Sequence, residues 1–258
     1  MSDISIAHIQ QHLGAFKPIG LPDLDRVALL DRMDTKFVFT IDQLPDFLAG
    51  LSDKYFILEI NNSRMFHYES LYFDTDKFDL FNQHYCGRMN RYKIRFRKYV
   101  ESNQSYFEIK FKNNKGRTVK SRIKQNDSME LKADSLAFLK ERSTLDSNSL
   151  HAKMWVNYIR ITLVSADYKE RLTLDLDLTF KNDLVEKNID NLVIAEVKQS
   201  KAGHSEFIKL MKQYHIRTGA ISKYCFGVMS LFKNVRINNF KEQLLHLNKI
   251  LHASPAGH

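Results

Sequence analysis

The chain has 258 residues, 43% hydrophobic and 27% charged, with only 9 Gly and 4 Pro. That composition gives a folded chain with room for a sizeable core and excludes disordered, collagen-like and linker-rich classes. Its net charge is +9, and its two cysteines, Cys86 and Cys225, form no CxxC pair and imply a reducing compartment rather than a disulfide framework.

The N-terminus lacks the basic and apolar regions of a signal peptide. The longest apolar run, CFGVMSLF at 225–232, falls far short of the roughly 20 residues that span a bilayer. A cytoplasmic, soluble protein is expected, reaching a membrane only through a partner. Ile, Leu, Phe and Val recur at helical spacing over 5–16 and 23–32. RMDTKFVFT (32–40) changes to period two and predicts a strand. Thr40 caps a predicted helix over IDQLPDFLAGL, shortened or distorted at Pro45. KYFILEI (54–60) and MFHYESLYFDT (65–75) predict strands; Thr75 or Asp76 then caps a short helix that Gly87 ends.

Strands at 90–100, 104–112 and 117–124 follow, joined by the polar turns SNQS and NNKG. A helix at 132–142 precedes strands at 153–164, 168–180 and 192–199, and the tail predicts helices at 204–214, 222–232 and 239–252. About eight strands without βαβα alternation predict an α+β fold: an antiparallel β-barrel or tunnel with helices packed outside and a helical C-terminus. A single domain is expected over 1–258, with its core at 30–232.

The charge is concentrated. Residues 88–124 hold 13 Lys/Arg against 2 Asp/Glu, so a polyanionic partner is expected. In RMNRYKIRFRKYV, Arg91, Lys93, Arg95 and Arg97 alternate with Tyr92, Ile94 and Phe96, which gives one strand face a single sign. Glu108, Lys110 and Lys112 oppose Phe107, Ile109 and Phe111; Lys120, Arg122 and Lys124 oppose Val119, Ser121 and Ile123. RLTLDLDLTF sets Arg171, Thr173, Asp175 and Asp177 against four leucines, and EVK puts Glu196 beside Lys198. One such strand ordinarily turns its polar side to water. Several together predict a charged interior filled with water, metal and phosphate, because unpaired charge in a dry interior costs several kcal/mol per ion. Its carboxylates would pair with cations or hold a divalent metal.

The order RMDTK, SLYFDT, RYKIRFRKY, YFEIKFK, TVKSR, NYIR, RLTLDLD, IAEVK and ISKYCFG, over about 30–232, resembles the VTC domain. That domain is the polyphosphate polymerase branch of the triphosphate tunnel metalloenzyme (CYTH-like) superfamily. The resemblance implies a basic β-tunnel that binds ATP and inorganic polyphosphate and transfers the γ-phosphoryl group to the chain end with Mn²⁺ or Mg²⁺. By motif match, Lys36, Arg95, Arg97, Lys110, Lys120, Arg160, Arg171 and Lys198 would face the reacting phosphates, and Glu196 would hold the metal. Ser222 and Lys223 match the element that opens a C-terminal helix. Arg91, Lys93 and Arg122 extend the cationic surface for substrate, and Tyr158 offers a hydrogen bond or a stacking face.

The superfamily's E-x-E-x-K signature is R-x-D-x-K here, at Arg32, Asp34 and Lys36, which points to fewer metal ligands. Glu108 and Asp175 are further metal candidates, weighed against salt bridges with neighbouring cations. Tyr72, Tyr92 and Tyr99 are expected in packing, with stacking on a base as the alternative. The ten histidines are expected in ordinary roles, with no metal-ligand pair among them. No GxxxxGK[ST] or GxGxxG loop occurs, so any nucleotide is held by side chains. A tunnel hydrolase of triphosphates and a non-catalytic polyphosphate binder are the alternatives. Nucleic acid is disfavoured because Tyr92 and Phe96 lie opposite the cations. Oligomeric state and the identity of a membrane-protein partner are left open.

Overall fold

A computed structural model of the chain describes residues 3–27, 32–126, 130–200, 204–219 and 222–251. Helix α1 (Asp3–Leu13) buries Ile9 and Leu13 and leaves His8 exposed. His8 and His12 stand four residues apart on it, correcting the expectation of no histidine pair at ligand spacing. Strand β1 (Lys17–Ile19) and helix α2 (Leu21–Asp25) follow. The helix expected over 23–32 thus starts earlier at Leu21, and 28–31 lie outside the described residues. Strand β2 (Arg32–Thr40) leads through a single 3-10 turn into α3 (Leu44–Leu51). Pro45 sits in the first turn of α3 and starts the helix rather than distorting it, since no intrahelical N–H bond is lost there.

The chain continues through β3 (Tyr55–Leu58), β4 (Phe66–Asp74), α4 (Asp79–Tyr85), β5 (Arg91–Tyr99), β6 (Gln104–Lys112), β7 (Thr118–Lys124) and α5 (Ala133–Arg142). Then come β8 (His151–Ser165), β9 (Glu170–Lys181), β10 (Glu186–Ile189), β11 (Leu192–Ser200), α6 (Glu206–Gln213), α7 (Lys223–Leu231) and α8 (Lys241–Leu251). The two strands the sequence did not predict, β1 and β10, have 3 and 4 residues, too few to display alternation.

All these strands belong to one sheet whose main hydrogen-bonded order is β2-β11-β9-β8-β4-β5-β6-β7. Every pairing is antiparallel except that of β1 with β3. The expected α+β class, with its large antiparallel sheet and helical C-terminus, is what the chain forms; among the described residues the sheet is not closed into a barrel. Among the described residues the outer edge of β2 is occupied by the segment after α6: Phe37 bridges Thr218, and the Gly219 N–H donates to the Lys36 carbonyl at 3.0 Å. Those contacts use edge positions of β2 that a closing strand would need.

The convex side of β2, β11, β9 and β8 packs Phe37, Phe39, Leu172, Leu174, Ile161 and Val193 against α1, α3 and α6. That of β4, β5 and β6 packs Leu71, Ile94, Phe96, Phe107 and Ile109 with Leu139 of α5. A third cluster lies on the concave side, where Val38, Tyr72, Met154, Val156, Leu178 and Ile194 meet α7 and α8. A bulge makes that possible. Asp177 has φ 51° and the β8–β9 register shifts between Asn157 and Ile159, so β9 gains a residue there. Leu176 therefore faces the convex core and Leu178 the concave one, correcting the unbroken alternation read from RLTLDLDLTF.

Helix α7 lies close on the concave wall at Gly227, where an added Cβ would stand 2.8 Å from Met154 Sδ and from Phe180 Cδ1. Gly227→Ala gains about 1 kcal/mol of helix preference but overpacks a filled site, which costs about 1–3 kcal/mol. A lower urea midpoint is expected; a midpoint above that of the parent protein would show that α7 is not seated this tightly.

Candidate functional site

The strand register sets the concave surface. Arg95 lies opposite Glu108, Lys93 opposite Lys110, and Glu108 opposite Arg122 across β5, β6 and β7. On the other wall Glu196 faces Lys36 and Thr173, while Lys198 faces Asp34 and Arg171. Arg160 faces Asp175 across β8 and β9. The two walls see one another: Lys36 on β2 and Glu196 on β11 both act electrostatically on Lys110 of β6. The sheet is thus curled, with the cations of β5 on its concave side and Ile94 and Phe96 on its convex side.

Three carboxylates organise the surface. Glu108, 1% exposed, accepts from Arg95 Nε at 2.7 Å and from Arg95 Nη2 at 2.6 Å on Oε2, while Lys120 Nζ lies 2.5 Å from Oε1. Asp175, 2% exposed, receives Arg160 bidentately at 2.6 and 2.7 Å and also the Lys223 ammonium. Burial by itself would raise the Asp175 carboxyl, but the Arg160 and Lys223 charges outweigh it and hold it at about 2. The same contest holds Glu108 far below the usual carboxylate range, with Arg95, Arg97 and Lys120 prevailing. In both residues the oxygens are taken by cations, so ion pairing is the role the geometry gives them.

Glu196 differs. Lys36 Nζ at 3.3 Å and Lys198 Nζ at 3.4 Å both approach the same oxygen, Oε1. Burial would raise this carboxyl too, and Lys198 and Lys36 hold it low.

The remaining cations are fixed by aromatics and hydroxyls. Arg97 donates to Ser70 Oγ at 3.0 Å and to the Tyr158 hydroxyl at 2.8 Å, and lies over the Tyr68 ring. Arg160 and Lys223 also lie over the Tyr158 ring, and Tyr68 stacks on Tyr158 at 5.2 Å. Arg95 Nη1 donates to the Tyr72 hydroxyl at 3.1 Å. Burial would raise the Tyr72 phenol, yet Arg95, Arg97 and Lys93 bring it down to about 8. Lys93, Lys120 and Lys198 are all lowered to about 8, first by desolvation. Lys110 is lowered for the same reason although its side chain is exposed, as fits a concave surface open to solvent.

Most of the expected residues therefore converge: Lys36, Lys93, Arg95, Arg97, Lys110, Lys120, Tyr158, Arg160, Arg171, Glu196, Lys198 and Lys223 all belong to the concave face or to the helix against it. Three are used differently. Arg91 donates to the Arg88 carbonyl at 2.6 Å at the strand's start, and Arg122 lies over the Tyr106 ring. The Ser222 hydroxyl caps α7 by accepting from the Cys225 N–H at 3.1 Å. Tyr92 packs outward on Phe111, and Tyr99 meets Tyr68 edge-on.

Tyr68, Ser70, Asp74 and Tyr224 were not foreseen. The first two share the period-two face of HYESLYF with Tyr72, a signal the sequence does carry. Asp74 is fully buried, accepts the Leu80 and Phe81 N–H groups at 2.9 and 3.0 Å, and takes the Tyr224 hydroxyl. The expected cap Thr75 accepts the Asp79 N–H at 3.0 Å, while Asp76 pairs with Lys153 at 2.6 Å.

No helix among the described residues is long and apolar enough to cross a membrane. No curated protein matches the chain in sequence. Among solved structures it is similar to a candidate adenylate cyclase from Bacillus halodurans, with 15% identity, 79% of this chain and 98% of that one covered, and a TM-score of 0.48. It is also similar to a candidate adenylate cyclase from Vibrio parahaemolyticus, at 12% identity, 76% and 98% coverage and a TM-score of 0.47. A candidate adenylyl cyclase from Hippeastrum with a dominant triphosphatase activity is similar at 14% identity, 80% and 99% coverage and a TM-score of 0.45. The family model of the VTC domain matches residues 31–232, and the chain belongs to that family.

Proposed function

We propose that the protein is a polyphosphate polymerase, moving the γ-phosphoryl group of ATP onto the end of an inorganic polyphosphate chain with Mn²⁺ or Mg²⁺ as cofactor. The observation that carries this is the convergence of Lys36, Lys93, Arg95, Arg97, Lys110, Lys120, Arg160, Arg171, Lys198 and Lys223 on one curled surface whose acids are mostly tied to cations. A polyphosphate repeats its charge every few ångströms, which suits cations spaced at strand intervals. Arginines grip phosphate oxygens bidentately and lysines act as point charges.

In the transfer, a terminal oxygen of the chain bonds to the γ-phosphorus. The bond from that phosphorus to the β,γ-bridging oxygen breaks, and ADP leaves with the electron pair. Both nucleophile and leaving group are phosphate oxygens, already ionised near neutral pH, so no strong general base is required. Hydrolysis, by contrast, needs a base for water. Glu108 and Asp175 are poor bases, because paired cations hold them ionised at low affinity for protons. Arg95, Arg97 and Arg160, fixed by Glu108, Ser70 and Asp175, are pre-oriented for the equatorial oxygens.

Among the described residues no cluster of three His, Cys, Asp or Glu forms a metal cage. A cation that takes one or two carboxylates and completes its shell with substrate phosphates fits this donor set. Glu196, through Oε2, would hold it, with Asp34 diagonally across the β2–β11 pair. When bound, it would neutralise charge on the β- and γ-phosphates.

Incubation with ATP and Mn²⁺ should yield polyphosphate on a gel, and Glu196→Gln should lower the rate by about a hundredfold or more. Orthophosphate release without polymer would make the protein a triphosphatase. Metal-independent polyphosphate binding that survives Glu196→Gln, with no ATP turnover, would make it a binding module.

Protonation gives a second test. The folded-state values of Lys93, Lys120 and Lys198, about 8, lie below the ordinary lysine value of 10.5, so between these limits the unfolded chain binds more protons. Tyr72 shifts in the same sense. Stability of the ligand-free protein should therefore rise from pH 8 to pH 10. A bound polyanion favours the charged lysines, so affinity for tripolyphosphate should fall across the same window. Calorimetric titration at intervals of pH reads this directly; affinity that stays level from pH 7 to pH 9.5 would contradict the assignment of these lysines to the phosphates.

A further inference from the structure

The exposed side of α1 carries a feature that the cationic site does not use. His8 and His12 lie one helical turn apart with their Nε2 atoms 3.3 Å from each other and their ring centroids 5.0 Å apart. The helix places them so because residues four apart stack on one face. Ile9 and Leu13, the next residues along, are buried in the core shared with α3 and α6, so the helix is anchored on its other side. His8 is exposed and His12 half-buried, which leaves the pair open to solvent.

The separation of the two nitrogens is informative. A tetrahedral Zn²⁺ with bonds of about 2.0–2.1 Å to nitrogen sets its two ligands about 3.3–3.4 Å apart. A square-planar cation at similar bond lengths would need about 2.8–2.9 Å. The observed 3.3 Å, at which one ring also reaches the other for a hydrogen bond, matches the tetrahedral separation. Each ring can present Nε2 as an acceptor, with its proton on Nδ1.

We propose that His8 and His12 chelate a Zn²⁺ ion on the outside of the fold, separate from any divalent cation held by Glu196. Among the described residues no third His, Cys, Asp or Glu joins the pair, so the other two coordination positions belong to water or to a donor from another molecule. Such a site clamps the second turn of α1 to its last turn. It stabilises the folded chain by an amount that grows with the logarithm of the zinc concentration above the dissociation constant, because the unfolded chain holds the two rings in no fixed relation.

The test is zinc titration of the full chain followed by calorimetry and thermal unfolding. The parent protein should bind Zn²⁺ and unfold at a higher temperature in its presence. His8→Ala and His12→Ala should each weaken that binding at least about tenfold and remove the thermal shift. Both substitutions place a better helix former on a solvent-accessible side, so the variants should fold, with unchanged circular dichroism as the check. Glu196→Gln should leave this zinc affinity unaltered, which separates the site from the cationic cleft. Zinc affinity equal in the parent and both histidine variants, or no zinc binding by the parent at all, overturns the proposal.

Discussion

The structure depends on how it keeps like charges together. Cations on neighbouring strands repel, and the concave face sets Lys93 beside Lys110 and Lys110 beside Lys120. What holds them is a set of three carboxylates, each shared between two cations. Glu108 of β6 joins Arg95 of β5 to Lys120 of β7. Asp175 of β9 joins Arg160 of β8 to Lys223 of α7. Glu196 of β11 joins Lys36 of β2 to Lys198 of its own strand. The electrostatic ties thus run across the hydrogen-bonded ladders, and the same pairs that orient the site hold the curl of the sheet. Breaking a buried pair by removing one member typically costs about 3–5 kcal/mol, so these acids serve the fold as much as the site.

Helix α7 connects the two roles. Its first residues contact the charged surface through Lys223, while Tyr224 reaches the buried Asp74 that also caps α4. One turn further on, Gly227 lets the helix lie against Met154 and Phe180. The bulge at Asp177 is the counterpart in the sheet, because it turns Leu178 and Phe180 toward the helix just where the polar face of β9 ends. A charged floor and an apolar floor therefore meet on the same strand, and α7 spans the junction.

How legible this was depended on the range of the interaction. Alternation in RYKIRFRKY predicted which side Arg95 and Phe96 would take, because period two is a property of one strand alone. Glu108 and Asp175 as ion-pair partners were foreseen only as one of two roles; the choice came from Lys120 and Lys223, supplied by elements that the sequence does not align with them. Asp74 and Tyr224 are 150 residues apart, and neither carries a local signal of the other. The bulge at Asp177 was invisible because an aspartate between leucines continues the pattern even where the backbone breaks it. His8 and His12 carry a purely local signal, the H-x-x-x-H of AHIQQHL, because residues four apart share one helix face.

The open sheet is the remaining departure from expectation, and it bears on the charge. In a closed, dry barrel this many cations would have to be neutralised one by one or lose their protons, since an isolated buried ammonium costs several kcal/mol. Here three acids tie six cations, and the lysines still reach water: Lys110, outside those pairs, and Lys120, within one, are both exposed although the surrounding protein depresses both. Solvent exposure thus gives these lysines what phosphate oxygens would give them under the proposed function. Because that exchange replaces mobile dipoles with fixed negative charge, the depressed lysines gain most from it. Under the proposed function, Lys93, Lys110 and Lys120 on one wall and Lys198 beside Glu196 on the other are the cations that a polyanion would stabilise most.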